Sequence, residues 1–473
     1  MRFVPILFLI FTAAFAQETP TEKEAAKGVL DKLATLEKAV DAPSWIAKLT
    51  APNAERDQIV ARAKQLMDKE LLAMSDLLTR DPEIGFVERR AVARLTDYLK
   101  AHDFDCKTAV GGLETAFKAT WKGGKPGPVM GIIVEYDALR GTSRAFHGDQ
   151  HSAQGPIGLA AAVAMTEYLK RSGTPGTIVV FGTPGEEMMP PSAKNQMFDR
   201  GVFGGVDVII RSHSSTSTNR PAPGFGTCCL NIDGVKYIFS GAPAHQMTPW
   251  AGRNALEAVV HFFVNIDGVR ASMRPEARVQ GIISEGGAAP NVVPDRAVAD
   301  FYIRYPDEVY LEQVRQFVDD AARAAALATQ TKVKIETYGR MRDGISTAAL
   351  GELSFAYARK FGATHVMEAP DKPQGFDETG SVSSAVPGLG VSIYSSNSAY
   401  HTYGMEEDAL NETGHSAFVI AAETMSAVLF DFATNDGYRK VVRQEFDGIK
   451  ALFGEYQAAL RKTYQVPVVP EPK

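Results

Sequence analysis

The chain has 473 residues, of which 45% are hydrophobic, 9% aromatic and 22% charged, with a formal net charge of −6. That length and balance fit a globular enzyme of two or more domains and exclude a disordered or solenoid chain. The mixed signs of charge argue against a nucleic-acid surface and leave small molecules as the expected partners.

Residues 1–16, MRFVPILFLIFTAAFA, join one early Arg to an apolar run and a small-x-small ending, which reads as a cleaved secretory signal peptide. The run is too short to span a membrane, so the mature protein is expected to be soluble and exported, periplasmic or secreted, with no membrane attachment. Three cysteines, Cys106, Cys228 and Cys229, are too few for a disulfide framework. Residues 17–61 follow as an amphipathic helical extension broken at Pro43 and Pro52. More helix is expected over 62–78 and 89–99.

Four later segments, 128–137, 177–187, 206–213 and 388–401, are Val- and Ile-rich runs bounded by Gly or Pro. Such runs form strands buried on both faces of an α/β sheet. Each leads into a residue of metal-ligand type just past its carboxyl end, where α/β sheets bind ligands. Glu186, Glu187, His213 and His401 all fall there. One Glu or His in a loop is usually only solvated, but several at equivalent places point to one shared site.

Adjacent carboxylates in GTPGEE (182–187) are costly beside a buried strand unless a cation neutralises one of them. The other can then act as general base on a water activated by the metal. In residues 147–173, His147, Asp149 and His151 precede a long helix of small apolar residues that must be buried. They therefore stand at the entrance of a core helix, and for His147 a supporting role is as good a reading as ligation.

Residues 230–347 have their own grammar: strand, helix, strand, strand, helix, strand. That order is a ferredoxin-like unit inserted into the first domain. The first domain then comprises 62–229 and 348–435, and 436–473 is a charged amphipathic tail read as a solvated packing helix.

Taken together the motifs resemble the metallopeptidase family of aminoacylases, glutamate carboxypeptidase and aminobenzoyl-glutamate hydrolase, above all its amidohydrolase subfamily. The resemblance rests on EYDAL (135–139), GTPGEE (182–187), IIRSH (209–213), GAPAHQMTPWAGRNALEA (241–258), GGAAPNVVPD (286–295) with Arg304, and His401-Thr402. It spans residues 66–432. It implies a mixed-sheet α/β co-catalytic domain with an inserted lid and dimerisation domain, and two divalent metal ions. Zinc suits the nitrogen and oxygen donors best, with manganese or cobalt as alternatives. The implied roles are Glu186 as general base, Asp149, His151, Glu187, His213 and His401 as ligands, and His245 stabilising the oxyanion in its own closed domain or a neighbouring subunit. Asn291 and Arg304 would hold the substrate carboxylate, although Arg304 could instead pair with Asp300.

The expected reaction is hydrolysis of the amide bond of an N-acyl or N-aroyl amino acid, or a dipeptide, with a free carboxylate. A carboxypeptidase or dipeptidase is the near alternative, and a secreted binding relative without turnover the distant one. A homodimer through the inserted unit is expected, since symmetric dimers are the commonest assembly. Three departures stand out: HGDQHS replaces HGCGHN, MMPPSAK replaces a glycine-rich stretch, and Glu378 stands in place of an Asp. His102, His261 and His365 read as structural. His415 could orient the site.

Overall fold

The computed structural model describes residues 20–189, 192–227 and 230–465. The signal-peptide expectation for 1–16 and the pair Cys228 and Cys229 lie outside them.

The larger domain is built on a six-stranded sheet in the order Asp105–Thr108, Phe117–Lys122, Thr177–Gly182, Val129–Val134, Val208–Ser215, Gly388–Tyr394. The last four run parallel and Phe117–Lys122 runs antiparallel to both of its neighbours, so the sheet is mixed. The Val and Ile runs are buried on both faces, as continuous apolar strands require. On one face lie the helices His151–Ser172, Ala54–Leu66 and Glu412–Thr434, which pack on one another. The first can come close because Gly158 sits on Val134 and Ile132, where an added Cβ would lie 2.5 and 3.0 Å from their side chains. Among the described residues only Glu412–Thr434 is long and apolar enough to cross a membrane, and here it is buried in the core.

The inserted unit is a four-stranded antiparallel sheet ordered Lys332–Met341, Asn231–Ser240, Arg296–Tyr305, Arg278–Glu285, with the helices Ala255–Arg270 and Glu308–Ala328 packed on it. This is the strand order of a ferredoxin-like sandwich. Tyr237, Phe239, Phe262 and Phe301 form its aromatic centre. The two chain crossings run side by side, because Gly224–Gly226 pairs with Gly344–Ser346.

Three features differ from the sequence reading. The helix Ala54–Leu66 crosses the boundary expected at 61–62, its start set by Asn53, whose side chain accepts from the Glu55 and Arg56 amides. His213 lies inside its strand and not past it, because pairing with Gly388–Tyr394 continues to Ser215. The helix Asp436–Thr463 packs as expected but is less solvated than expected. Its stripe of Tyr438, Val442, Phe446, Ile449, Tyr456 and Leu460 is buried. Near its start the Glu445 carboxylate accepts from the Ala348 and Ala349 amides of the larger domain, and just past its end Tyr464 Oη donates to Asp307 of the inserted unit. The helix Pro20–Val40 packs along it.

Candidate metal centre

The sheet delivers its polar residues to one edge. Val129–Val134 leads directly to Glu135 and Asp137, both buried. Thr177–Gly182 leads to Gly185 in the left-handed region (φ 65°), which turns the chain into a single helical turn bearing Glu186 and Glu187. A side chain at Gly185 would also collide with Phe86. Glu187 is fixed through its amide, which donates to Asp137 Oδ2 at 2.8 Å. His151 is the first residue of its helix. His401 adopts φ 61° and its amide donates to the Gly148 carbonyl at 3.1 Å, bringing the two loops together.

The five expected ligands meet. His151 Nδ1 lies 3.1 Å from Asp137 Oδ1, which orients the ring and leaves Nε2 facing the cluster without a hydrogen bond. His401 Nε2 lies 3.0 Å from Asp149 Oδ2 and 3.7 Å from Glu187 Oε2, while Asp149 Oδ1 has no partner. His213 Nδ1 is 2.9 Å from the Ser214 carbonyl, a bond only a protonated Nδ1 can make, so Nε2 carries the lone pair. Its ring stands edge-on to His151 at 5.7 Å.

The electrostatics are those of buried carboxylates and imidazoles packed against one another. Burial pushes Glu186 up to about 8 and Glu187 up to about 7. Burial also lowers His213 to about 4, helped by Arg211, and His147 to about 3. For Asp149 burial acts upward, but the His401 hydrogen bond and the nearby imidazoles outweigh it and bring the carboxyl below its usual range. Two groups of three residues have ligand atoms within 4.8 Å of one another: Asp149, His151 and Glu187, and Glu135, His151 and His213. Unpartnered buried donor atoms on Asp149 and His151, with a nitrogen and oxygen set, fit a divalent metal.

A cavity of about 720 Å³ opens on this cluster. Asp149, Glu186, Glu187, His213 and His401 line it, with Arg211, Glu378 and, from the inserted unit, Arg304. Asp300 does not hold Arg304: it accepts from Tyr338 Oη at 2.6 Å, and among the described residues no ion pair engages Arg304. His245 and Asn291 are not brought to the cavity of their own chain. Both are exposed on the inserted unit, where His245 Nδ1 accepts from the Met247 amide at 3.1 Å and the Asn291 carbonyl from the Gln246 amide at 3.1 Å. His147 is buried beside the site with its amide on Glu406, and His415 pairs with Asp76 at 2.8 Å.

Sequence reasoning left four residues without a role: Asp137, which orients His151 and Glu187, and the buried group Glu135, Lys194 and Arg211. The EYDAL motif carried the signal for Asp137, since a carboxylate at the end of a buried strand needs a partner. Burial acts to raise Glu135, but Arg211 and Lys194 overcome it and hold the carboxyl well below its usual range.

The mixed sheet, the inserted ferredoxin-like unit and the carboxylate–imidazole cluster at the strand ends define a hydrolase domain of the metallopeptidase type. Residues 230–330 match the peptidase dimerisation domain of the M20 peptidases. The chain is 29% identical to the Xaa-Arg dipeptidase of Mus musculus over 417 residues, covering 84% of this chain and 94% of that one. It is 31% identical to one of the subunits of the p-aminobenzoyl-glutamate hydrolase of Escherichia coli K12 over 277 residues, 55% of this chain and 56% of that one. A Bacillus subtilis structure described as a dinuclear metal-binding peptidase of the M20 family shares the fold, with a TM-score of 0.52 and 18% identity over 76% of this chain and 98% of that one. The chain is a hydrolase related to the M20 metallopeptidases and amidohydrolases.

Proposed function

We propose that the protein hydrolyses the amide bond of an N-acyl or N-aroyl amino acid, or of a dipeptide, bearing a free carboxylate. One observation carries the reading: Asp149, Glu187, His213 and His401 line a cavity that also holds a buried non-ligand carboxyl, Glu186, and His151 meets them from behind, with donor atoms on Asp149 and His151 that have no hydrogen-bond partner among the described residues. Asp149, His151, Glu187, His213 and His401 would hold two divalent ions, zinc by preference, with manganese or cobalt as alternatives. When bound, the ions would acidify water and polarise the scissile carbonyl.

The remaining steps belong to the chain. Glu186 takes the proton of the attacking water and returns it to the departing amine, using one carboxyl in two protonation states. Arg304, on the cavity wall and without an ion pair among the described residues, presents its planar donors to the substrate carboxylate. His245 and Asn291, exposed on the inserted unit, serve the cavity of a second copy in a homodimer, with His245 donating to the developing oxyanion. Export follows from the reading of residues 1–16. Among the alternatives the dipeptidase is favoured by the extended likeness to the Xaa-Arg dipeptidase.

The test is a screen of N-acyl amino acids, aminobenzoyl-glutamate and dipeptides against protein loaded in turn with zinc, manganese and cobalt. Turnover of at least one carboxylate-bearing amide is expected. Binding without hydrolysis across the screen would favour a binding relative.

A further inference from the structure

Beneath the ligand cluster four buried charges from four distant segments meet. Glu135 Oε1 accepts from Arg211 Nη1 at 2.7 Å and from Lys194 Nζ, and Glu378 pairs with both Lys194 and Arg211. Glu135 Oε2 accepts from Gln154 Nε2 at 2.6 Å and stands 3.5 Å from His151 Nε2. Lys194 is only 1% exposed. Two carboxylates face two cations, so the group is neutral as a whole.

Glu135 is also the outlier of the ligand geometry. It forms a possible three-residue group with His151 and His213, yet its oxygens are already taken by two cations and an amide. A free carboxylate there would add another anionic donor to those of Asp149 and Glu187. That would weaken the metal as an electrophile and fill a position that a catalytic site must keep open. Both cations that engage Glu135, Lys194 from outside the ligand motifs and Arg211 from within IIRSH, also pair with Glu378 on the cavity wall.

We propose that Lys194 is a positioning residue of the metal centre: with Arg211 it engages Glu135 as a hydrogen-bond acceptor, keeps it from coordinating, and so reserves His151 Nε2 for the ion. This rests on the two-metal reading above. Glu378 holds both cations in place, which gives the Asp-to-Glu departure and the MMPPSAK departure a single cause. The longer carboxylate at 378 and the lysine at 194 meet each other.

The test uses the full-length protein loaded with cobalt, comparing wild type with Glu135→Gln, Lys194→Met, Lys194→Arg and the double variant Lys194→Met/Glu135→Gln. Metal per chain, the visible cobalt spectrum, kcat and KM are read together. Glu135→Gln and Lys194→Arg are expected to bind as many ions as wild type with its spectrum. In Lys194→Met, Glu135 keeps Arg211 and Gln154 but loses one of the two cations that hold it off the metal; its carboxylate then shifts towards the ion, the cobalt band weakens as a ligand is added, and kcat falls by roughly 10–100-fold with KM little changed. The double variant leaves Glu378 paired with Arg211 and should match Glu135→Gln in spectrum and kcat, which decides the matter even if Lys194→Met alone does not fold. Loss of an ion in Glu135→Gln, a wild-type spectrum and kcat in Lys194→Met, or a double variant that differs from Glu135→Gln would each overturn the proposal. A wild type that takes up no cobalt would overturn the two-metal reading itself.

Discussion

Glu445 sits fully buried in the C-terminal helix and accepts from the first two amides of the helix Ala348–Lys360, at 2.6 and 2.9 Å. Thr347 makes no side-chain cap there, so this carboxyl takes the place of one. Burial nevertheless raises it from 4.5 to about 7. A folded-state value above the unfolded one means stability that is present below about pH 4.5 and lost as pH climbs through about 7. At 1.36 kcal/mol per pH unit the ionised fold is penalised by about 3 kcal/mol. Glu445→Gln cannot ionise and keeps one carbonyl acceptor, at a cost of about 1 kcal/mol for the lost second bond. The variant should therefore be about 1 kcal/mol less stable than wild type near pH 4.5 and about 2 kcal/mol more stable near pH 8.5. Urea unfolding of both proteins at the two pH values measures the swing. A stability difference that does not change with pH would mean that Glu445 does not titrate upward on folding.

Glu186→Gln should retain bound metal and substrate affinity while kcat falls about 10²–10⁴-fold, as measured by steady-state kinetics with metal analysis. Asp149→Ala should lose metal content and activity together, whereas Asp149→Cys should keep partial activity with a preference shifted to softer metals, read by competitive metal loading. Sedimentation at micromolar concentration should show a dimer. Replacing exposed apolar residues of the inserted unit such as Ile282 (66% exposed) and Val264 (62% exposed) by Lys should give monomers with impaired turnover, because His245 then has no second cavity to enter. Full activity of such a monomer would show that His245 is not needed from a partner.

The larger sheet was legible because its strands are buried on both faces, which leaves continuous Val and Ile runs that end where the ligands begin. The inserted unit was legible from the order of its elements. What escaped was pairing over distance. Lys194 and Glu378 are 184 residues apart, and a lysine after MMPPSA reads as a solvated charge until the fold closes over it. The role of Asp137 was hidden for a different reason: a carboxylate ending a buried strand looks the same whether it binds a metal or steadies a histidine. The stripe on Asp436–Thr463 announced packing but not its partners, so a helix that joins both domains read as a solvated packing helix. For His245 and Asn291 the motif gave the residues and the fold gave their place, exposed on the inserted unit and away from their own cavity.

A two-metal hydrolase is tested by metal per chain in the purified protein, followed by hydrolysis of a carboxylate-bearing amide before chelation, after it, and after metal is restored. Two divalent ions per chain are expected, with activity lost with the ions and recovered on their return. Hydrolysis that survives complete removal of metal would contradict this, as would a protein that binds no divalent ion at all.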